Sequence, residues 1–389
     1  KGDPLGSQIL EDLKDRLPER LRGRRLQFFK TVMTDPEDPD DDAEARASAA
    51  ALGNRSRYAI VAMDGNDAGQ QHLEAERLVT ETGEWKEKDR SEWLKRMSRA
   101  LQDGTKRAFL SALSQVITAW DQSLDEKGLR KCVWQDKEGE VIVLPFRPLI
   151  LGGDDVILLC HTAHALAFVQ HMHDSFVDET RAESDKSKPL WLPNHDHLTI
   201  SAGILYSKAT FPLHMGIPYA ESLLGSAKGA YRPEKENEQT PGAIDWDSIT
   251  DTLVDSPADR RNRELRFQDS ELGCEVRLTR RPYLLKPGER GPDIDELLGL
   301  KQRLKKVSTS MRSKILASLQ NVWSERVRFI GSVAKKHEVL MEELWEGGES
   351  LGMSWWPKDD KDGPIRMTSL PDALLLLEED HRTAQTTLG

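Results

Sequence analysis

Cysteine is scarce. The 389 residues hold three, Cys132, Cys160 and Cys274, far apart and with no CxxC pair. A disulfide framework and a four-cysteine zinc site are excluded, and three reduced thiols in a cytoplasmic protein are expected. Long apolar runs are missing as well. The longest, around Val141–Leu151 and Val156–Cys160, are too short to cross a bilayer, so no membrane contact is expected. A secretory leader is not expected either. There is no basic excess: the net charge of -11 gives no general drive towards nucleic acid, and any contact with a polyanion needs a local basic patch. What is present, 38% hydrophobic and 31% charged residues, describes a globular protein with a polar surface. The length suffices for two ordinary domains or one larger domain with additions.

The chain opens on Ile9–Phe29, with helical spacing and a basic stretch, Arg20 to Arg25. An acidic run with prolines, Asp35 to Asp42, follows and reads as a solvated linker. Tyr58–Met63 is then a short apolar run that stops at Asp64-Gly65, the pattern of a buried strand ending in a turn. Leu73–Thr82 and Ser91–Leu124 have helical periodicity. Lys131–Trp134 and Val141–Leu144 flank a polar turn and form a hairpin. Pro148–Leu151 and Val156–Cys160, joined by Gly152-Gly153-Asp154-Asp155, form another. His161–Arg181 reads as a helix, Asp185–Pro193 as a loop, His197–Tyr206 as a strand and Pro212–Tyr231 as a helix. This order gives an α+β fold: a split βαβ, ferredoxin-like layer, one antiparallel sheet with helices on one face. Residues 1–56 are then a lead-in helix and acidic linker, 57–232 the α+β domain, and 233–292 a loop-rich connection. Residues 293–389 form a helical C-terminal domain and a tail without clear pattern. Lys301, Arg303, Lys305, Lys306, Arg312 and Lys314 make the start of that last region basic, best read as a solvated face.

The chemistry sits at two turns. Phosphoryl transfer needs carboxylates that hold divalent cations, and Mg²⁺ takes one or two of them with phosphate oxygens and water. One carboxylate at the end of a central strand and another in the neighbouring hairpin turn supply that set. Asp64 and Asp154 have these positions if the strand order is right. Gly152 and Gly153 allow the turn and leave room for a nucleotide. Gly65 and Gly69 follow Asp64, where backbone N–H groups can face phosphates. Each turn alone is also an ordinary turn; the pair on these elements points to function.

Five stretches together resemble the palm-bearing large subunit of type III CRISPR effector complexes, the cyclic-oligoadenylate synthase, a family related to GGDEF nucleotide cyclases. They are Met63-Asp64-Gly65-Asn66-Asp67-Ala68-Gly69, Gly152-Gly153-Asp154-Asp155, Ser201-Ala202-Gly203-Ile204, the helix Ala220–Lys228, and Thr279-Arg280-Arg281-Pro282-Tyr283. The resemblance covers about Tyr58 to Leu285. It implies a palm in which Asp64 and Asp154 bind Mg²⁺ or Mn²⁺ with the Gly65 carbonyl, and Asp155 supports them. Asn66 and Asp67 lie beside the metals, Lys228 meets a triphosphate, and Ser201 lies near the adenine. The implied reaction joins ATP into cyclic oligoadenylate, releasing pyrophosphate. The implied partners are guide RNA, target RNA and other effector subunits, a small helical one among them. Asn66 stands where relatives commonly have a carboxylate, which removes a negative charge near the metals; Asp67 is the candidate to compensate. The family's earlier palm, HD nuclease domain and cysteine zinc site have no counterpart in these residues.

Three functions follow: a cyclic-oligoadenylate synthase, a palm with weak or lost catalysis acting as a structural subunit, and, more weakly, a free-standing dinucleotide cyclase. Other residues invite rival stories. His161 and His164 share a helical face, but as helix residues rather than metal ligands. Ser226-Ala227-Lys228 by itself is a plain helix end.

Overall fold

The computed structural model describes residues 3–30, 39–53, 57–181, 190–192, 195–233, 238–249, 255–271, 273–288, 290–319, 325, 353–356 and 365–384. The chain divides into two compact units, Lys1–Thr252 with Thr383–Gly389, and Leu253–Arg382.

In the first unit, helix α1 (Pro4–Leu13) is followed by strand β1 (Arg25–Phe28) and helix α2 (Pro39–Ala51). Two expectations change here. Arg25–Phe28 is not the end of a helix but a strand, parallel to β4 (Gly139–Leu144), with Arg25 opposite Val141. Its partner lies far along the chain, so local periodicity could not show it. Pro39 to Asp42, expected as solvated linker, are the first residues of α2. Proline fits the first helical position and acidic residues suit a helix start. The rest of that acidic run lies outside the described residues. The basic stretch is engaged internally. Arg20 donates to Asp121 Oδ1 at 2.8 Å, and Arg25 reaches Asp136 at 2.6 and 2.8 Å.

Strand β2 (Arg57–Gly65) leads into α3 (Ala68–Thr80), the long α4 (Glu87–Ser123) and the short α5 (Glu126–Lys131). Then β3 (Val133–Asp136) pairs with β4 as the expected hairpin. Strands β5 (Phe146–Gly152) and β6 (Asp155–Cys160) form the second hairpin, followed by α6 (Thr162–Glu179), β7 (Ile200–Lys208), α7 (Leu213–Ala230) and β8 (Ala243–Ser248). The loop expected at Asp185–Pro193 lies mostly outside the described residues. Five strands run in the order β8-β7-β2-β6-β5. β2 is antiparallel to both β6 and β7, and α6 connects these two around it, the split βαβ crossover.

The central sheet departs from expectation twice. Tyr58, Ile60 and Ala62 are buried, and so are Ala59, Val61 and Met63. Successive residues of a strand point to opposite faces, so both faces of the sheet are covered rather than one. Ile244-Asp245-Trp246-Asp247, read as loop, lie in β8, parallel to β7. The alternating aspartates hid the strand. Both are buried, and Asp247 accepts a 2.7 Å hydrogen bond from Tyr219.

The second unit is not purely helical. Helices α9 (Ile294–Leu304) and α10 (Thr309–Ser318) lie where helices were expected, but Lys301 and Arg312 of the basic face, expected to be solvated, are buried. Around them are α8 (Pro257–Glu264), β9 (Arg266–Asp269), β10 (Cys274–Arg277) and the two-residue β11 (Tyr283–Leu284). The patternless tail contains β12 (Met353–Trp356), β13 (Ile365–Thr368) and α11 (Leu370–Ala384). β12, β13, β10 and β9 form one sheet in that order. Four-residue strands leave little mark on a sequence, and the pairing of β10 with β13 joins positions about ninety apart. The remaining helical expectation, residues 320–352 apart from 325, lies outside the described residues. Buried Asp372 explains the fifth stretch of the resemblance. It accepts hydrogen bonds from Thr279 Oγ1 (2.8 Å), Arg280 N (2.8 Å) and Tyr283 OH (2.9 Å), and pairs with Arg281 (3.0 Å).

Candidate functional site

Strand register brings the acids together. Met63 of β2 pairs with Val156 of β6. Asp64 and Asp155 are therefore the next positions on adjacent strands, and Asp154 lies in the turn beyond. That turn has two residues, Gly153 and Asp154, between the paired Gly152 and Asp155. Gly153 has φ +62°, the left-handed value that a glycine supplies at the first central position of a type II′ turn. Gly65 serves another purpose. A Cβ there would lie 2.9 Å from both the Cβ and Oδ2 of Asp154. Only a glycine lets the end of β2 and the turn approach so closely.

The electrostatics follow from this crowding. The Asp154 carboxyl is pushed up to about 7, first by burial, then by the negative charge of Asp64, a hydrogen bond shared with it, and Asp155. Asp155 is raised for the same first two reasons and lowered by Lys228. Lys228, in the last turn of α7, sets its Nζ 2.5 Å from Asp64 Oδ2 and 2.7 Å from the Gly65 carbonyl. These side chains line a cavity of about 1080 Å³ with Gly153, the start of α3 at Ala68-Gly69-Gln70, and an apolar wall of Leu73, Met97 and Leu101. The first N–H groups of a helix have no intrahelical partner and favour anions. A Cβ on Gly69 or Gly152 would meet nothing within 4 Å.

The remaining expected residues have other neighbours. Asn66 is buried, and its side-chain N–H₂ donates to Thr199 Oγ1 (2.8 Å) and the Pro241 carbonyl (3.2 Å). Ser201 is wholly buried. Its hydroxyl donates to Asn66 Oδ1 at 3.0 Å and accepts from Ala243 N at 3.2 Å, and it does not line the cavity. Asp67 has φ +62° and holds Thr240 with both carboxylate oxygens, at 2.9 Å from its N–H and 2.6 Å from its hydroxyl. Thr240 and Arg232 line the cavity and were missed from sequence. Arg232 follows Lys228 by four residues but lies beyond the end of α7. Thr240 offers no signal, being 173 positions from Asp67.

The residues fit a divalent cation. Asp64 Oδ2 and the Gly65 carbonyl already share one positive group, and the neighbouring Asp154 is destabilised by unneutralised negative charge. Hard oxygen donors of this kind suit Mg²⁺ or Mn²⁺. Among the described residues no group of three or more His, Cys, Asp or Glu is arranged to hold a metal ion unaided, so substrate oxygens and water belong to any coordination shell. His161 and His164 do not line the cavity. His161 caps α6, its Nδ1 accepting from Ala163 N at 3.2 Å. Burial pushes it down to about 4 and His164 to about 3. No helix among the described residues is long and apolar enough to cross a membrane.

A strand end and a hairpin turn that present acids over a cavity, on a split βαβ sheet, define a palm. Residues 57–237 match the family model described as Cas10/Cmr2, second palm domain. The match spans 181 of the 389 residues and supports a Cas10-type palm within this chain. A comparison with curated proteins gave no match.

Proposed function

We propose that this palm is a metal-dependent nucleotidyltransferase that makes cyclic oligoadenylate from ATP within an RNA-guided type III effector complex. The observation that carries the reading is the meeting of Asp64, the Gly65 carbonyl and Asp154 in the lining of one cavity, with Lys228 on the Asp64 and Gly65 oxygens. Asp64, Gly65 and Asp154 would hold Mg²⁺ or Mn²⁺, which lowers the charge on the reacting phosphate and favours attack by a ribose hydroxyl. Asp155 adds negative charge beside them. The start of α3 with Gly69, together with Lys228 and Arg232, offers a cradle for a triphosphate. Little covalent work falls to the protein, and positioning with charge neutralisation dominates.

A purely structural palm gains nothing from Asn66. Its side chain is bonded to Thr199, Pro241 and Ser201, so the missing carboxylate leaves the Asp64–Asp154 pair untouched. The partners in this reading are guide RNA, target RNA and further effector subunits. Labelled ATP with Mn²⁺, given to the assembled complex with target RNA, tests it. Cyclic oligoadenylate that disappears with Asp154→Ala supports the synthase. Lack of product from the intact complex favours the scaffold, and a GTP-derived dinucleotide favours a cyclase of another kind.

A further inference from the structure

We propose that Lys228 is the resident cation of the acidic site. Its ammonium holds Asp64 and Gly65 until a divalent ion takes those oxygens, and it then turns to the nucleotide's phosphates. This rests on the reading of Asp64, Gly65 and Asp154 as the metal site. It adds that metal and nucleotide bind cooperatively through one side chain.

The contacts carry the argument. Nζ lies 2.5 Å from Asp64 Oδ2 and 2.7 Å from the Gly65 carbonyl, two of the oxygens assigned to the metal. An ammonium and a divalent ion cannot share those positions, because both are positive and both need the same lone pairs. The lysine cannot leave by movement of its helix. A Cβ on Gly203 of β7 would lie 2.1 Å from the Ala220 carbonyl oxygen and 2.4 Å from Leu224 N, so α7 is seated directly on the sheet backbone. It must leave by rotation of its own flexible four-carbon stem. The space for that rotation exists. Gly225 and Gly229 flank Lys228 in the cavity wall, and a Cβ on either would meet nothing within 4 Å. Lys228 therefore has two stations, on the carboxylate or out in the cavity where phosphates would lie. A nucleotide that draws it outward raises metal affinity, and by linkage metal raises nucleotide affinity equally.

Mn²⁺ binding to the full chain, measured by titration calorimetry with the metal alone, tests this. Both partners are about a third exposed (28% and 34%). A pair at that exposure is worth up to about 1 kcal/mol, so Lys228→Met is expected to bind Mn²⁺ about fivefold more tightly than wild type. Arg232→Met, which removes a charge from the same cavity without vacating Asp64, is expected to leave Mn²⁺ affinity within about twofold. A non-hydrolysable ATP analogue should tighten Mn²⁺ binding in wild type and do so less in Lys228→Met. Lys228→Gln repeats the measurement should the methionine variant fold poorly. Unchanged or weaker Mn²⁺ binding in both lysine variants overturns the proposal. So does equal tightening in Arg232→Met, which would mean a diffuse field rather than an occupied position. Asp64→Asn separates the two layers: if it binds Mn²⁺ as well as wild type, the metal site itself is misassigned.

Discussion

Two acidic turns, one at the end of β2 and one between β5 and β6, use the same residue types for opposite ends. In the first, Asn66 and Asp67 spend every side-chain polar atom on the protein, on Thr199, Pro241, Ser201 and Thr240. In the second, Asp154 is crowded against Asp64 and Asp155, and its carboxyl is held well above the ordinary range by burial and by Asp64. Asp64 sits between the two and is shared, with Lys228 as its partner. A satisfied acid is part of the scaffold; an acid crowded against its like stores a demand for a cation. Gly-Asx composition does not distinguish them, but partners do.

The largest effect should come from the second turn. Asp154→Ala is expected to lower ATP turnover by on the order of a hundredfold to a thousandfold, as loss of a key electrostatic group does. Its thermal unfolding should not move down, because the hydrogen bond lost is the one shared with Asp64 and one of two repelling carboxylates goes with it. Radiolabelled product and a melting curve check both halves. A fall in melting temperature equal to the activity loss would make this turn scaffold too. Gly65→Ala comes next. Its methyl must displace Asp154 from a 2.9 Å approach, and a misplacement of that order costs about tenfold to a hundredfold in rate. Gly152→Ala is the control, since its methyl meets nothing, and its stability should change by less than about 1 kcal/mol.

The sequence told these parts of the molecule apart unevenly, for physical reasons. β2, the β5–β6 hairpin and α4 were legible because apolar runs and turn residues are local signals. Asp64 and Asp154 were read from a strand end and a hairpin turn, and the register of β2 on β6 brings them together; Lys228 was read only through the resemblance. What was hidden depended on distant partners. β1 pairs with a strand more than a hundred positions away. β8 buries two aspartates that made it look like a loop. Asn66 looked like a lost metal ligand, because nothing near it in sequence announces Thr199 or Ser201.

That last residue supplies the third prediction. Asn66→Ala leaves the buried Ser201 hydroxyl and Pro241 carbonyl short of partners, a loss of about 2 kcal/mol in denaturant unfolding. Asn66→Asp, which restores the relatives' charge, should also destabilise, because a carboxylate cannot donate to Thr199 or Pro241. It should not tighten Mn²⁺ binding. Tighter binding in this variant would show the first turn reaching the metal after all and would erase the contrast between the turns.

The last effect is a pH dependence, and it belongs to the second turn alone. Asp154 keeps its proton in the folded protein up to about 7, whereas an unfolded aspartate loses it near about 4. Between these values the folded state binds more protons than the unfolded state, so this group makes stability fall as pH rises. Below about 4 the two states are equally protonated and the contribution vanishes. Above about 7 the full penalty remains. In EDTA, the melting temperature of Asp154→Asn should therefore gain on that of wild type from pH 5 to pH 8. Added Mg²⁺ should close the gap at pH 8 by giving the wild-type carboxylate its counter-charge. Parallel curves for the two proteins, with or without Mg²⁺, would mean that Asp154 is no more crowded than the satisfied Asp67.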